Sequence, residues 1–368
     1  MIFCIKRIII LVSVFCFAIA TMAGQDSILV IRKNLAHNHN GTTFENSIPT
    51  PLTIKGSTVN SLIRYFTTFH RRPNEKLTFK PDSFPSTSNI NSLKVMWLGH
   101  ATLLIEIDGK RFLTDPIFSK RTSPYTKANI TNFLWPSRFF DSPLKIEDLP
   151  KLDGIIISHD HSDHLDYNSV MKLSKSKVKF YVPLKVGDLL ESWGVDSSQI
   201  VEINWWDSIS IGKTHALIAT PARHDSGRSP LLGKRDQTLW CSWVIAGPNH
   251  KVFFGGDTGY SPDFKVIGDT YGPFDITFLP IGAYDRNWPN IHTNPEEAIA
   301  IHKDLKGNVL FPMHWGTFNL AIHSWSEPVK RLIYEAEKEH VYLCLPKPGE
   351  LIAWPYMLVD SRWWEIPE

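Results

Sequence analysis

Residues 158 to 166 read Ser-His-Asp-His-Ser-Asp-His-Leu-Asp, which puts His159, His161, Asp163 and His164 within six residues. The run directly follows Gly154-Ile155-Ile156-Ile157, an apolar stretch with the character of a strand. Alternate side chains of an extended segment point the same way, so His159 and His161 can face one cation, and a turn carries Asp163 and His164 to a second point. Imidazole nitrogens mixed with a carboxylate oxygen suit Zn²⁺, with Fe or Mn as alternatives. Thiolate metal sites are set aside, because the four cysteines form no C-x-x-C pair. Cys241 and Cys344 each lie in an apolar run and are expected to be buried free thiols, one disulfide between them being the other reading. A serine nucleophile is not expected either, since no Gly-x-Ser-x-Gly elbow occurs.

The elements that must position these groups are legible from Leu93 onward. Strands are expected over Val95 to Ile107, Arg111 to Thr114, Gly154 to Ser158, Lys179 to Val182, His215 to Thr220, Leu239 to Ala246, Lys251 to Gly255, Asp275 to Ile281, Asn308 to Pro312 and His340 to Leu345. Helical patterns occupy the stretches near 167 to 175, 184 to 193, 262 to 269, 295 to 305 and 326 to 339. The fourth opens with Asn294-Pro295-Glu296-Glu297, an Asn cap followed by Pro and acids in the first turn. Strands and helices in this mixed order predict layered sheets with helices outside them.

Composition bounds the function. Lys and Arg number 39 against 37 Asp and Glu, a net charge of +2, which argues against a nucleic-acid partner. At 43% hydrophobic residues the chain can bury a core. Lys6 and Arg7, a charge-free run from Ile8 to Ala20 and small residues at Ala18, Ala20 and Ala23 predict a signal peptide over 1–23. Export, to a periplasm or along a secretory pathway, is therefore expected, an uncleaved anchor being the other reading. Residues 24–92 read as a loop-rich arm with one amphipathic helix, in which Leu62, Ile63, Tyr65, Phe66 and Phe69 recur at helical spacing. That helix either touches lipid or packs on the main domain. A catalytic domain over 93–358 and a C-terminal tail over 359–368 complete the division. Asn40-Gly41-Thr42 and Asn129-Ile130-Thr131 are formal glycosylation triplets of the kind that arise by chance.

The His-x-His-x-Asp-His run resembles the signature of the metallo-β-lactamase superfamily, whose fold is an α/β (α+β) four-layer αββα sandwich. The resemblance implies further ligands at His224 in Pro221-Ala222-Arg223-His224, Asp257 in Gly255-Gly256-Asp257-Thr258-Gly259 and His314 in Pro312-Met313-His314-Trp315-Gly316. Within the superfamily, Trp97-Leu98-Gly99-His100-Ala101-Thr102, Leu113-Thr114-Asp115-Pro116-Ile117-Phe118 and His314-Trp315-Gly316-Thr317-Phe318 are similar to the branch of phospholipases D that hydrolyse N-acylphosphatidylethanolamine. The likeness covers roughly residues 60 to 350 and implies two Zn²⁺ per chain. His159, His161 and His224 would hold one ion, Asp163, His164 and His314 the other, with Asp257 bridging. It also implies a phospholipid substrate met at a membrane surface and in-line attack on phosphorus by metal-activated water. His292 matches a histidine that the branch places beside its metals, with a role in orienting the phosphate or assisting the leaving alkoxide. Ile291 stands where the mammalian enzyme has Gln, and the loop Arg286 to Ile291 looks about two residues shorter, which bears on head-group and acyl-chain choice.

Asp115 is expected to accept a hydrogen bond from a ligating histidine, against the plainer reading of a turn residue before Pro116. His100 is expected either on the floor of the site or as a satisfied core histidine, and Asp166 as a supporting carboxylate or a helix cap. The glycines around Asp257 read as a tight turn that exposes it. Trp97, Trp240 and Trp243 lie in strand patterns and are assigned to the core. Phe133 to Phe140 is either a lipid-facing lip with a nearby Arg or a buried loop anchor. Other readings kept open are a hydrolase of the same fold acting on a lactone, another ester or a soluble phosphodiester, and a metal- or lipid-binding protein without turnover. The sequence leaves the oligomeric state open, a dimer included.

Overall fold

The computed structural model describes residues 38–53, 63–64, 67–125, 133–228 and 235–366. The expected signal peptide, Leu62, Tyr65 and Phe66 of the arm, and the triplet at Asn129 lie outside these residues. Two sheets form the centre. The first joins seven strands in the order β13-β1-β2-β3-β4-β5-β6: β1 (Leu93–Trp97), β2 (Leu103–Ile107), β3 (Lys110–Thr114), β4 (Gly154–Ile156), β5 (Phe180–Pro183), β6 (Ile200–Ile203) and β13 (Leu351–Ala353). The second joins six in the order β12-β11-β10-β9-β8-β7: β7 (Ser208–Ile211), β8 (His215–Thr220), β9 (Ser242–Ala246), β10 (Lys251–Phe254), β11 (Phe274–Pro280) and β12 (Gly307–Met313). The five expected helices are α1 (Tyr167–Leu173), α2 (Val186–Trp193), α3 (Asp263–Tyr271), α4 (Pro295–Asp304) and α5 (Glu327–Glu339).

Strand alternation explains the layers. Val95, Trp97, Leu103, Ile105, Phe112 and Ile156 belong to one apolar cluster with residues of β8 to β12, and the same cluster runs on through the second sheet to α3, α4 and α5. Their neighbours Met96, Leu104, Leu113, Ile155, Phe180 and Val182 point the other way, against Val170 and Leu173 of α1 and Val186 and Leu190 of α2. Helices therefore cover both outer faces, and the architecture is the expected αββα sandwich. Trp97, Trp240 and Trp243 are core residues, and Cys241 and Cys344 are buried and unbonded.

Three expectations need correction. The continuous strand from Val95 to Ile107 is two strands, because Gly99 (φ 100°) and His100 (φ 55°) reverse the chain between them. Leu239 to Ala246 pairs only from Ser242. His340 to Leu345 is no strand: Leu310 bonds Tyr342 and Cys344 in a single parallel bridge, and continuing the ladder needs N–H groups that Pro312 and Pro346 lack. The short strands β6, β7 and β13 were not legible in the sequence.

Several regions beyond the central domain pack into it. Phe44 of the arm is buried in that same apolar cluster. In the segment expected as a tail, the Trp363 ring stacks 5.0 Å from that of Trp315 and lies 5.3 Å edge-on from Phe79, and Trp364 is fully buried. Arg138 is buried rather than lipid-facing, donating to the carbonyls of Leu98, Ile117 and Phe140, whereas Phe133 and Leu134 of the same stretch are exposed. Replacing Trp364 with Ala should lower unfolding free energy by about 3 to 5 kcal/mol, measured by urea denaturation. An unchanged midpoint would show that the last residues are dispensable for folding.

Candidate metal centre

Every residue singled out for chemistry follows the C-terminal end of a strand. His100 follows β1, Asp115 follows β3, the 159–164 run follows β4, His224 follows β8, Asp257 follows β10, His292 follows β11 and His314 follows β12. These strands run in one direction, since β1 and β3 flank the antiparallel β2, and β8 and β10 flank the antiparallel β9. The end of the sandwich where they stop is where loops are free to converge on a ligand. His100, Asp115 and His314 each hold a left-handed backbone, with φ of 55°, 32° and 61°. Such strain in side-chain-bearing residues persists where the surroundings fix it and gathers at functional sites.

Hydrogen bonds set the tautomers. Asp115 Oδ1 accepts from the Ser158 backbone N–H at 2.7 Å, and Oδ2 from the Ser158 hydroxyl at 2.6 Å and from His164 Nδ1 at 2.7 Å. Having donated its proton to Asp115, the Ser158 oxygen can only accept from His159 Nδ1, 2.9 Å away. His224 Nδ1 likewise donates to the Ile291 carbonyl at 2.8 Å. In the neutral rings the lone pair of His159, His164 and His224 is therefore left on Nε2, and these atoms point inward.

Ring nitrogens face each other across the cluster. His224 Nε2 is 3.2 Å from His161 Nδ1, and His314 Nε2 is 3.1 Å from His164 Nε2. Asp257 lies between the two pairs: Oδ2 is 3.2 Å from His164 Nε2 and 3.9 Å from His224 Nε2, and Oδ1 is 3.1 Å from His314 Nε2. His159 Nε2 is buried without any hydrogen-bond partner. Ligand atoms of His159, His161 and His224 lie within 4.8 Å of one another, as do those of His100, Asp163, His164 and His314, and those of His159, His164 and Asp257. Converging imidazole nitrogens and carboxylate oxygens, with one orphaned imidazole nitrogen among them, fit positive ions held between them, and mixed nitrogen and oxygen donors suit Zn²⁺.

Electrostatics agree with this. Burial works against charge on Asp163 and Asp257, yet His164 and the other rings beside them hold both carboxyls well below their ordinary value. Burial alone would keep His164 and His314 neutral, but Asp257 and Asp163 raise both. Burial dominates at His159, which is held well below its ordinary value, and at His100 and His292, each brought down to about 3.

The second group of expected residues falls into place differently. His100 lies on the floor of the site, with Nε2 3.0 Å from Asp163 Oδ2 and its ring 3.9 Å from that of His314. His292 Nδ1 is buried without a hydrogen bond, 3.6 Å from Asp257 Oδ2. Asp166 caps α1, accepting from the Ser169 N–H. Gly256 (φ 59°) makes the tight turn before Asp257, and a Cβ there would meet Ser158 Cβ at 2.6 Å. Gly259 lets the loop before His292 pass, since a Cβ would come 2.0 Å from the Asn290 carbonyl oxygen.

Sequence reasoning missed three participants. Ser158 was signalled only by standing next to His159. Asp225, clamped by Arg235, lies 3.9 Å from the outer nitrogen of His161, and its one signal was adjacency to His224. Asn46 of the arm brackets the His224 backbone, donating to its carbonyl at 2.7 Å and accepting from its N–H at 3.0 Å, and nothing in its local sequence marked it. A cavity of about 280 Å³ opens beside the cluster, lined by Leu52, Trp288, Ile291 and Leu320 together with Arg235 and the site residues His161, Asp163, Asp257 and His292.

Comparison with known proteins gives this geometry its family. Residues 110–315 match a model described as a beta-lactamase superfamily domain. An uncharacterized protein of Mycobacterium tuberculosis is 46% identical over 74% of this chain and 72% of its own. The protein named N-acyl-phosphatidylethanolamine-hydrolyzing phospholipase D 1 of Caenorhabditis elegans is 38% identical over 64% of this chain and 67% of its own. A solved structure titled a possible metal-dependent hydrolase from Veillonella parvula has a TM-score of 0.57 at 19% identity, covering 71% of this chain and 99% of that one, and shows the fold.

Two outcomes follow from the geometry. Ser158→Ala removes the link from Asp115 to His159 while keeping the Cβ, and should weaken zinc affinity about 10- to 100-fold in chelator competition. Unchanged affinity would deny the link any part in aligning His159. For the metal-free protein, His100, His159, His224 and His292 stay neutral when folded but take up protons near pH 6.5 when unfolded. The unfolded state then binds more protons, so stability falls as pH drops from about 6.5 toward 4, offset in part by the raised His164 and His314. The melting temperature should be lower at about pH 5 than at about pH 7.5, and a rise on acidification would contradict these directions.

Proposed function

The chain belongs to the metallo-β-lactamase superfamily, a fold of metal-dependent hydrolases, and from that premise we propose a zinc-dependent phosphodiesterase of phospholipase D type. Its substrate in this reading is N-acylphosphatidylethanolamine, released as N-acylethanolamine and phosphatidic acid. The observation that carries the reading is the convergence of inward-facing imidazole and carboxylate donors beside a cavity walled by Leu52, Trp288, Ile291 and Leu320. The Caenorhabditis elegans relative, named for hydrolysis of N-acylphosphatidylethanolamine, supports the choice of substrate.

His159, His161 and His224 would hold one zinc and Asp163, His164 and His314 the other, with Asp257 reaching both. Two such ions supply an activated water and offset charge on the phosphoryl oxygens. The protein does the rest. Asp115 and Ser158 fix the rings, and His100 holds the Asp163 carboxylate. His292, neutral at working pH because burial depresses its pKa to about 3, orients the phosphate as an uncharged hydrogen-bonding group rather than as an imidazolium acid. Leu52, Trp288 and Leu320 receive an apolar chain and thin the water near phosphorus.

Contact with a lipid surface belongs to the same proposal. Ile63 and Phe69 are exposed on the segment whose Arg64 pairs with Asp285, and Phe133 and Leu134 are exposed on another. These exposed side chains support peripheral contact; among the described residues no helix is long and apolar enough to cross a membrane.

The zinc-loaded full chain, incubated with mixed micelles of N-acylphosphatidylethanolamine, should release N-acylethanolamine detectable by mass spectrometry. Asp257→Asn should bring release to background, and His292→Asn should lower kcat about a hundredfold. Hydrolysis restricted to soluble diesters would reject the lipid substrate, and full activity in Asp257→Asn would contradict the shared carboxylate.

A further inference from the structure

His292 is a wall of two cavities, not one. On one side lies the apolar cleft beside the cluster; on the other is a cavity of about 430 Å³ bounded by the segment of Arg64 and Thr68, the loop from Tyr284 to Pro289 and the start of α5. The second cavity has a different chemistry. Arg64, Arg286 and Arg331 are set against Asp285, Glu297 and Glu327, so the lining carries both signs in equal number.

Most of this lining is built and held. Arg64 pairs with buried Asp285 at 2.9 Å. Arg331 grips Glu296 through Nε at 3.1 Å and Nη2 at 2.6 Å, and its Nη1 donates to the Tyr284 hydroxyl at 3.1 Å and to Glu327 at 3.2 Å. The Tyr284 hydroxyl donates in turn to Glu327 at 2.9 Å. His323, stacked on the Tyr284 ring at 4.5 Å, donates from Nδ1 to the Ser324 carbonyl and accepts the Ala283 N–H at Nε2, which fixes the wall from behind. Arg286 alone among the three arginines is exposed and makes no hydrogen bond or ion pair with the described residues.

An alkyl chain in such a cavity would strip water from ion pairs and return no hydrogen bonds. A dianionic group would meet three carboxylates. An uncharged group rich in hydroxyls can both donate to the acids and accept from the guanidinium groups, replacing its hydrogen bonds to water with hydrogen bonds to the wall. We propose that this cavity is a subsite for a polyhydroxylated, glycerol-like arm of the phosphodiester, so that the substrate straddles His292 with an acyl chain in the apolar cleft and a polyol opposite.

The proposal rests on the phosphodiesterase reading and ranks its substrates: the N-acylethanolamine arm and the bond cleaved are those of N-acylphosphatidylethanolamine, and diesters with a free glycerol arm, such as glycerophospho-N-acylethanolamine, are turned over in preference to the diacyl form. In the reaction water oxygen bonds to phosphorus and the P–O bond to the ethanolamine oxygen breaks. One water proton ends on the released N-acylethanolamine hydroxyl, the other on the glycerol phosphate or in solvent.

The test compares two substrates that share an N-palmitoylethanolamine arm in the same detergent micelles, one with glycerol and one with diacylglycerol on the other side of phosphorus. The zinc-loaded full chain should show kcat/KM at least about tenfold higher for the glycerol compound. Arg286→Ala, at an exposed position that folding does not need, and Thr68→Val should each lower that ratio at least about fivefold. A ratio at or below one, or a ratio that both variants leave intact, overturns the subsite. Hydrolysis of neither compound and of no bis(p-nitrophenyl) phosphate would instead overturn the phosphodiesterase reading and the subsite with it.

Discussion

Imidazole lone pairs and two carboxylates, turned toward one another in a buried volume, are the constraint on which the rest of the structure depends. Ring nitrogens of different histidines stand 3.1 to 3.2 Å apart, and the Asp163 and Asp257 carboxylates are pressed against them. The surroundings are built to keep them there. Asp115 restrains His164 directly and His159 through Ser158; the Ile291 carbonyl and Asn46 restrain His224; Asp225 faces the outer side of His161. Each of these contacts lies outside the cluster and turns a ring inward, an arrangement that favours a bound cation over an empty site.

The sandwich serves this constraint by bringing the ends of co-directed strands from both sheets to one edge. The loop between β11 and α4 has the greatest burden. It supplies the Ile291 carbonyl and His292 to the cluster, Trp288 to the apolar cleft, and Asp285 and Arg286 to the polar cavity. Its far end is fixed by the capping box in which Asn294 and Glu297 exchange hydrogen bonds, and its middle passes over Gly259 with no room for a side chain. Substrate choice and metal geometry are thereby carried on one stretch of chain.

What the sequence made legible, it did by local signals. The 159–164 run, the Asn294 cap and the glycine turn at Asp257 each carry their geometry in a few adjacent residues, and the structure places them as expected. The losses are all non-local. The missing ladder at His340 to Leu345 depends on two prolines in different segments, and the function of Asn46 depends on a backbone far along the chain. Arg138 reads as a surface cation until three carbonyls, from Leu98, Ile117 and Phe140, are found around it. The partition of the chain at 358 was also drawn from local pattern, whereas Trp363 and Trp364 interlock with Trp315 across the presumed boundary.

The central claim is that one buried cluster holds two metal ions with Asp257 shared between them. Anomalous diffraction from crystals of the zinc-soaked protein, collected on both sides of the zinc edge, addresses it directly. Two zinc peaks per chain are expected, about 3.5 to 4 Å apart, one among His159, His161 and His224, the other among Asp163, His164 and His314, with Asp257 touching both. A single peak, or zinc bound elsewhere while these side chains keep the positions described, would contradict it.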